Sequence, residues 1–419
     1  MFGWYNVLGR KWIMSERTKK LLLVGGFILS VFVIAFLLYT LFFKGAPMPP
    51  ATVEPTDELS GVLPSSDEGQ PGVVGEEPTG VTGLQEADEV AQGGLTQTVE
   101  LTTGAVHDIV LSGDGSSINY YNAADGRFYT INADGEVVAL SDKRFPEAET
   151  VEWNQTAEKA LIEFPDGTNI IYDFSAEKQV TLPQHWEDFD FSPTSDEIIG
   201  KSVALDENNR WLVIASDDGS RVEAIQELGE NEDKVEVNWS PNNQVVAFAK
   251  TAKSSSSNLD RNIIYPVGKN QENFKGLVVE GLNFDSLWSP NGKQLLYSVT
   301  GSYSNDKPLL WIVDATSSTM GENRTSLGLN TWVDKCTWSS SSTIYCAVPI
   351  DLPANAGLQR ALYLDEPDAI YTLDLTSGRA SLVAIPEEET SMNNLWVSDD
   401  ESLLYFTNSS GQLELLRLR

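Results

Sequence analysis

A seven-bladed β-propeller carried behind one membrane-spanning helix is the all-β fold class predicted by three features of this 419-residue sequence. An uncharged apolar run, Leu21 to Phe43, stands near the N-terminus. A stretch rich in Pro, Gly and acid follows it. Through the remainder one short pattern recurs: an apolar residue, a polar turn of about four residues, and an apolar strand.

The apolar run comes first. At about 1.5 Å per residue it crosses a hydrocarbon core of roughly 30 Å with some tilt. Its length, and the lack of a small-x-small site directly after it, favour a retained anchor over a cleaved leader. Arg10, Lys11, Arg17, Lys19 and Lys20 precede it, whereas only Lys44 follows before Arg127. That asymmetry predicts a single-pass protein with a cytoplasmic tail over 1–20, the helix over 21–43, and the bulk of the chain outside the cytoplasm at the cell membrane. Residues 44–94, including "GAPMPPATVEPTDELSGVLPSSDEGQPGVVGEEPTG", hold no aromatic residue. Such a segment buries too little surface to fold and reads as a disordered acidic tether. Fifty flexible residues span roughly 40 Å.

From Leu95 the periodicity is that of strands: short alternating or apolar runs bounded by Gly, Asn, Asp and Ser. "WSPNGKQLLYS" at Trp288 has a close copy at Trp239, "WSPNNQVVAFAK", and a third at Phe191, "FSPTSDEIIGK". Looser copies begin at Leu111, Trp153, Trp338 and Val397. The spacings are 42, 38, 48, 49, 50 and 59 residues. Between anchors lie a third strand, as in "LLWIVD" or "AIYTLDL", a turn, and a fourth strand. Four antiparallel strands every 40–50 residues make a propeller blade. The seventh repeat lacks its fourth strand, and "LTQTVELTT" (Leu95–Thr103) belongs to no complete repeat. Pairing of 95–103 with 412–418 is expected to close the ring over 95–419 and remove an open edge.

The "WSPNGKQLLYS" pattern resembles the WD40-like repeat of TolB-type propellers, whose motif runs aromatic-Ser-Pro-Asp-Gly-Lys and then an apolar strand. The likeness covers residues from about 96 to 419. It implies the fold and leaves function open, because propellers host unrelated activities.

Acidic residues outnumber basic ones 61 to 28, a net charge of −33. Nucleic acid is excluded as a partner, since phosphate neutralisation needs a basic face. The balance fits a basic partner, and equally fits simple solubility. In a propeller the first strand of each blade lines the channel, so residues three and one places before the anchors share a face. These include Asp108, Asp188, Glu236 and Asp285 in the outer row, with Glu152 and Asp190 deeper. They are candidate binding residues at an acidic channel mouth. The structural alternative is that they accept hydrogen bonds from backbone N–H groups between blades. The loops joining second and third strands are long in blades four to six, "TAKSSSSNLDR", "TGSYSNDKP" and "PIDLPANAGLQRALYLDEPD". They form one predicted rim, with Tyr303, Leu358, Leu362 and Tyr363 as candidate contacts.

Catalytic signatures are lacking. His107 and His185 are the two histidines. There is no nucleophile elbow, zinc spacing, EF-hand loop, Walker A loop or dinucleotide fingerprint. No cofactor and no metal site are expected. Cys336 and Cys346 flank the turn of blade six. They are cross-strand neighbours in one register, which allows a disulfide outside the cytoplasm, and ordinary buried thiols in the other. The functional expectation is a non-catalytic protein-binding scaffold or adaptor at the cell envelope. A hydrolase or glycan-binding propeller using the acidic mouth is the alternative.

Overall fold

The computed structural model describes residues 87–251 and 261–419. The predicted tail, the apolar run Leu21–Phe43, most of the tether and the middle of the blade four loop lie outside these residues. Among the described residues no helix is long and apolar enough to cross a membrane.

The described chain is an all-β ring of seven blades. Blade one is His107–Leu111, Ile118–Asn122, Arg127–Ile131 and Val137–Ala139. Blade two is Thr150–Trp153, Lys159–Glu163, Asn169–Asp173 and Lys178–Leu182. Blade three is Trp186–Phe191, Glu197–Ser202, Trp211–Ser216 and Val222–Glu227. Blade four is Val235–Val237, Val245–Ala249, Asn262–Gly268 and Leu277–Val279. Blade five is Leu282–Trp288, Gln294–Thr300, Pro308–Asp314 and Thr325–Ser326. Blade six is Cys336–Ser340, Thr343–Pro349, Asp368–Asp374 and Arg379–Pro386. Blade seven is Asn393–Val397, Leu403–Thr407 and Leu413–Arg417, completed by Thr98–Glu100 from the other end of the chain.

Residues 87–94, read from the sequence as the end of the tether, are bound to the ring. The Ala91 and Gly93 amides donate to Arg417 and Val383 carbonyls. Gly94–Thr96 adds a fifth, parallel strand to blade six. The free edge of Arg379–Pro386 offers unpaired backbone groups, and the chain next to it satisfies them whatever its composition. One N-terminal segment therefore stitches blade six to blade seven.

Burial explains the strand sequences. Second strands lie between two neighbouring blades and are apolar on both faces, as in Gln294–Thr300, where six of seven residues are buried. Outer strands such as Val222–Glu227 are almost wholly exposed and read as polar. Each of the seven blade interfaces holds its own apolar cluster. Phe128, Phe145, Trp153 and Tyr172 join blades one and two. Phe248, Phe284, Trp288 and Tyr297 join four and five. Ile109, Ile118, Tyr405 and Leu415 close seven onto one.

The repeated turn has a physical basis. In blade five the Gly292 amide donates to the Ser289 carbonyl at 2.8 Å, and the Gln294 amide donates to Ser289 Oγ at 3.0 Å. Asn291 Oδ1 accepts the Lys293 amide at 2.9 Å. Ser240 and Asn242 repeat the arrangement in blade four, as do Ser398 and Asp400 in blade seven. Gly292 has φ +62°, and a Cβ there would lie 2.5 Å from the Asn242 amide nitrogen of the preceding blade. Glycine satisfies both the left-handed backbone and the close approach.

Candidate functional site

The inner strands do not alternate simply. Those of blades one, three, five and seven each carry a bulge, with Asp108, Asp188, Asn283 and Asn394 at φ of 50°, 54°, 54° and 51°. Asp and Asn tolerate this left-handed conformation better than other side chains with a Cβ. The extra residue bends the strand and re-aims its neighbours. The second bulged residues, Ile109, Phe189, Phe284 and Leu395, turn into the core.

Consequently the six mouth carboxylates divide. Asp108 and Glu152 line a central cavity of about 1030 Å³. Of the other four, Asp188, Asp190 and Glu236 belong to blade seams, whereas Asp285 bonds within its own strand. Asp188 pairs with Lys201 at 3.0 Å and accepts the Val237 amide at 3.2 Å. Asp190 accepts the Trp239 amide at 2.7 Å. Blade three's inner strand thus holds blade four's by two carboxylate–amide bonds. Glu236 pairs with Lys250, whose ammonium also donates to the Phe284 carbonyl of blade five at 2.9 Å. Asp285 accepts the Ser286 amide at 2.8 Å. Asp108 does both jobs, since it also accepts the Val151 amide of blade two.

Enclosure sets the ionisation of this group. Burial lifts Asp190 to about 7, against the opposing hydrogen bonds from Trp239 and Phe191. Burial likewise lifts Asp108 to about 6 and Asp285 to about 6, the latter helped by Asp334 and Glu236. The Glu152 side chain is open to the lumen but ringed by protein. Desolvation, then the Asp190 and Asp108 charges, hold it well above the usual carboxylate range. No cation offsets it: the lining of the cavity contains no Lys, Arg or His among the described residues.

The cavity also holds residues that the repeat reading assigned only to the fold. Trp153, Trp288 and Trp338 are anchors, and Trp396 stands one place before an anchor; all four line it. Trp153 donates its indole N–H to the Asp108 carbonyl at 2.7 Å. Trp338 and Trp396 are half-buried. Pro290 of the "WSPNGKQLLYS" turn, Asn154, Gln155 and Asp399 bring the cavity to the hairpin-turn face. The expected mouth was at the opposite end. The signal for this end was the tryptophan at the anchors themselves.

The loop rim is a built surface. The blade six loop folds onto blade five: the Asn355 and Gly357 amides donate to the Asn305 and Asp306 carbonyls at 2.9 Å each, and Asn283 Nδ2 donates to the Gly357 carbonyl at 2.8 Å. Arg360 pairs with Asp334 and sits 5.1 Å over the Trp332 ring. Leu358 and Leu362 remain 46% and 70% exposed, and Tyr303 45%, its ring edge-on to Trp311. Tyr363 packs instead on Trp332, Leu352 and Ala356 beneath the loop. Leu282, Ile350 and Leu364 add exposed apolar surface to the same face of blades five and six.

Cys336 and Cys346 face each other across the first two strands of blade six and are joined by a disulfide. Lys335, the residue before Cys336, is buried in an ion pair with Asp368 at 2.6 Å, and Asp368 also accepts the Met392 amide of the next blade at 2.7 Å.

No protein-family model matches the chain, and no curated protein does. Solved propellers do. The β-propeller domain of Myceliophteria thermophila Cps50 (Swd1) is 11% identical, with 77% of this chain and 100% of that one covered at a TM-score of 0.51. An oligogalacturonate lyase in complex with manganese is 13% identical, with 77% and 93% covered at a TM-score of 0.51. At these identities the likeness is one of fold.

Proposed function

We propose that this protein is a non-catalytic binding scaffold of the cell envelope, anchored by the Leu21–Phe43 helix with its N-terminus in the cytoplasm. Its propeller is of the TolB type and captures a protein partner on the rim of blades five and six. The observation that carries this reading is that rim: exposed apolar side chains gathered on loops pinned to the scaffold by backbone hydrogen bonds. A pre-ordered apolar surface loses little entropy on docking. Carboxylates at Asp306, Asp365 and Glu366 border it and favour a basic partner. Crosslinking in native membranes, followed by mass spectrometry, tests this. The Leu358→Asp/Leu362→Asp variant should lose a discrete partner at least about tenfold, as expected for two contact residues at the centre of an interface. Equal capture by the variant contradicts the reading.

A second reading, a glycan-binding propeller, is favoured by one observation: tryptophans beside carboxylates in a single open cavity. The lyase neighbour's name points to an anionic sugar. A cavity lined by five carboxylates and no basic residue is poorly suited to one.

A further inference from the structure

The ion pair between Lys335 and Asp368 stands apart from the others in the ring. Its side chains are 2% and 0% exposed, with Lys335 Nζ 2.6 Å from Asp368 Oδ2. Every other ion pair among the described residues has a side chain at least 22% exposed. Both ends are fixed by backbone. The Lys335 amide donates to the Trp332 carbonyl at 3.1 Å, and the Asp368 amide to the Thr390 carbonyl at 3.0 Å. The pair is also incompletely satisfied. Asp368 Oδ2 accepts from the ammonium and, at 2.7 Å, from the Met392 amide, while buried Oδ1 meets no donor among the described residues. An ammonium has three hydrogens to donate, and Asp368 is its one acceptor among the described residues. Charged groups left unpaired in a dry interior are costly. Two hydrogens and one oxygen are left over, the atoms of one water molecule.

We propose that Lys335 and Asp368 condense to an intramolecular isopeptide bond, a second covalent link in blade six beside its disulfide. The ammonium passes one proton to Oδ1, and the freed amine nitrogen attacks Cγ. The Nζ–Cγ bond forms, Nζ gives a second proton to the same oxygen, and the Cγ–Oδ1 bond breaks with release of water. Oδ2 remains as the amide carbonyl oxygen, and Nζ keeps one hydrogen. No oxidant or further reactant is consumed. The Met392 amide stabilises the negative charge on Oδ2 in the tetrahedral intermediate. Burial outweighs the Lys335 charge and raises the Asp368 carboxyl above the usual range, which favours the first proton transfer. Two groups fixed in contact also have the proximity that an amine and an acid in water lack. Freshly folded chains carry the ion pair, since the site must assemble and dry before it reacts. The bond anchors the long rim loop of blade six, which ends at Asp368. Its formation does not depend on what the rim or the cavity binds.

Mass spectrometry of the full-length protein, purified in detergent, aged for several days at neutral pH and then reduced, tests this. The intact mass should fall about 18 Da below that required by the sequence, and a tryptic digest should hold a branched peptide joining Lys335 to Asp368. Lys335→Arg, which keeps the cation and cannot form the amide, should have its full mass. Lys159 and Asp217, 2.5 Å apart but with Lys159 23% exposed, should give no branched peptide. An aged native protein of full mass overturns the proposal. So does the same loss without the branched peptide, or a loss that persists in Lys335→Arg, because either marks an aspartate succinimide instead. A branched peptide from Lys159 and Asp217 in equal yield also overturns it, because burial then plays no part.

Discussion

Asp190 makes stability fall as pH rises, the reverse of ordinary acid denaturation. Its folded carboxyl titrates near 7, because burial penalises the charge, against about 3.9 in the unfolded chain. Between these values only the folded state binds the proton. Stability is therefore highest below the unfolded value and is lost as pH rises to the folded one. From pH 5.5 to 7.5 this one group withdraws about 2 kcal/mol, at about 1.36 kcal/mol per unit of separation. Asp108 and Asp285, each lifted to about 6, withdraw roughly 1 kcal/mol more apiece over the same interval. Asp190→Asn keeps an acceptor for the Trp239 amide and removes the charge. It also relieves Glu152, which the Asp190 carboxylate presses upward. Urea unfolding followed by tryptophan fluorescence at pH 5.5, 6.5 and 7.5 should show the native protein losing about 3–4 kcal/mol across the series, as an upper value. The variant should lose about 2 kcal/mol less. A native stability that is flat or rising from pH 5.5 to 7.5, or identical slopes for the two proteins, refutes the reasoning.

Three other outcomes follow from the packing. Replacing both Cys336 and Cys346 by Ser should cost about 3 kcal/mol, the loop-closure value for about ten enclosed residues, measured as a lower urea midpoint matched by the reduced native protein. Lys335→Met should cost about 3–5 kcal/mol, because it strands the buried Asp368 carboxylate without its cation; Lys335→Met/Asp368→Leu should recover most of that by the same assay. Deleting Gly411 to Arg419 removes the strand that pairs with Thr98–Glu100 and should leave insoluble protein, whereas a soluble, cooperatively folding product would count against closure of the ring through that pair.

The fold was legible because each blade repeats one chemical solution. A polar turn after the anchor and a doubly buried second strand recur with every blade, built as Ser–Asn in blades four and five and as Ser–Asp in blades one and seven, so seven anchors 38 to 59 residues apart indicate seven blades. The site was less legible. Reading Asp108 and Asp188 as points on a regular alternation ignores their left-handed backbone, which the sequence marks only by the presence of Asp. The seam roles of Asp188 and Asp190 are non-local, since their partners Val237 and Trp239 are 49 residues away. Lys335 occupied a channel position in the pattern, but a short 3-10 turn, Val333–Lys335, rotates it into the interior against Asp368. The attachment of residues 87–94 depended on a free strand edge in blade six, which composition does not report. Tyr363 could be placed on the rim but not on its underside, because that depends on how the loop folds back over Trp332.

The rim is tested most directly by placing a photo-crosslinking residue at Leu362 of the full-length protein in its native membrane, with a second at Val138 on the outer strand of blade one as the comparison. Both positions are exposed, at 70% and 60%. A docking rim predicts one discrete crosslinked partner from position 362, lost when Leu358 is replaced by Asp, and none from position 138. The same adducts from both positions, or none from 362, would contradict it.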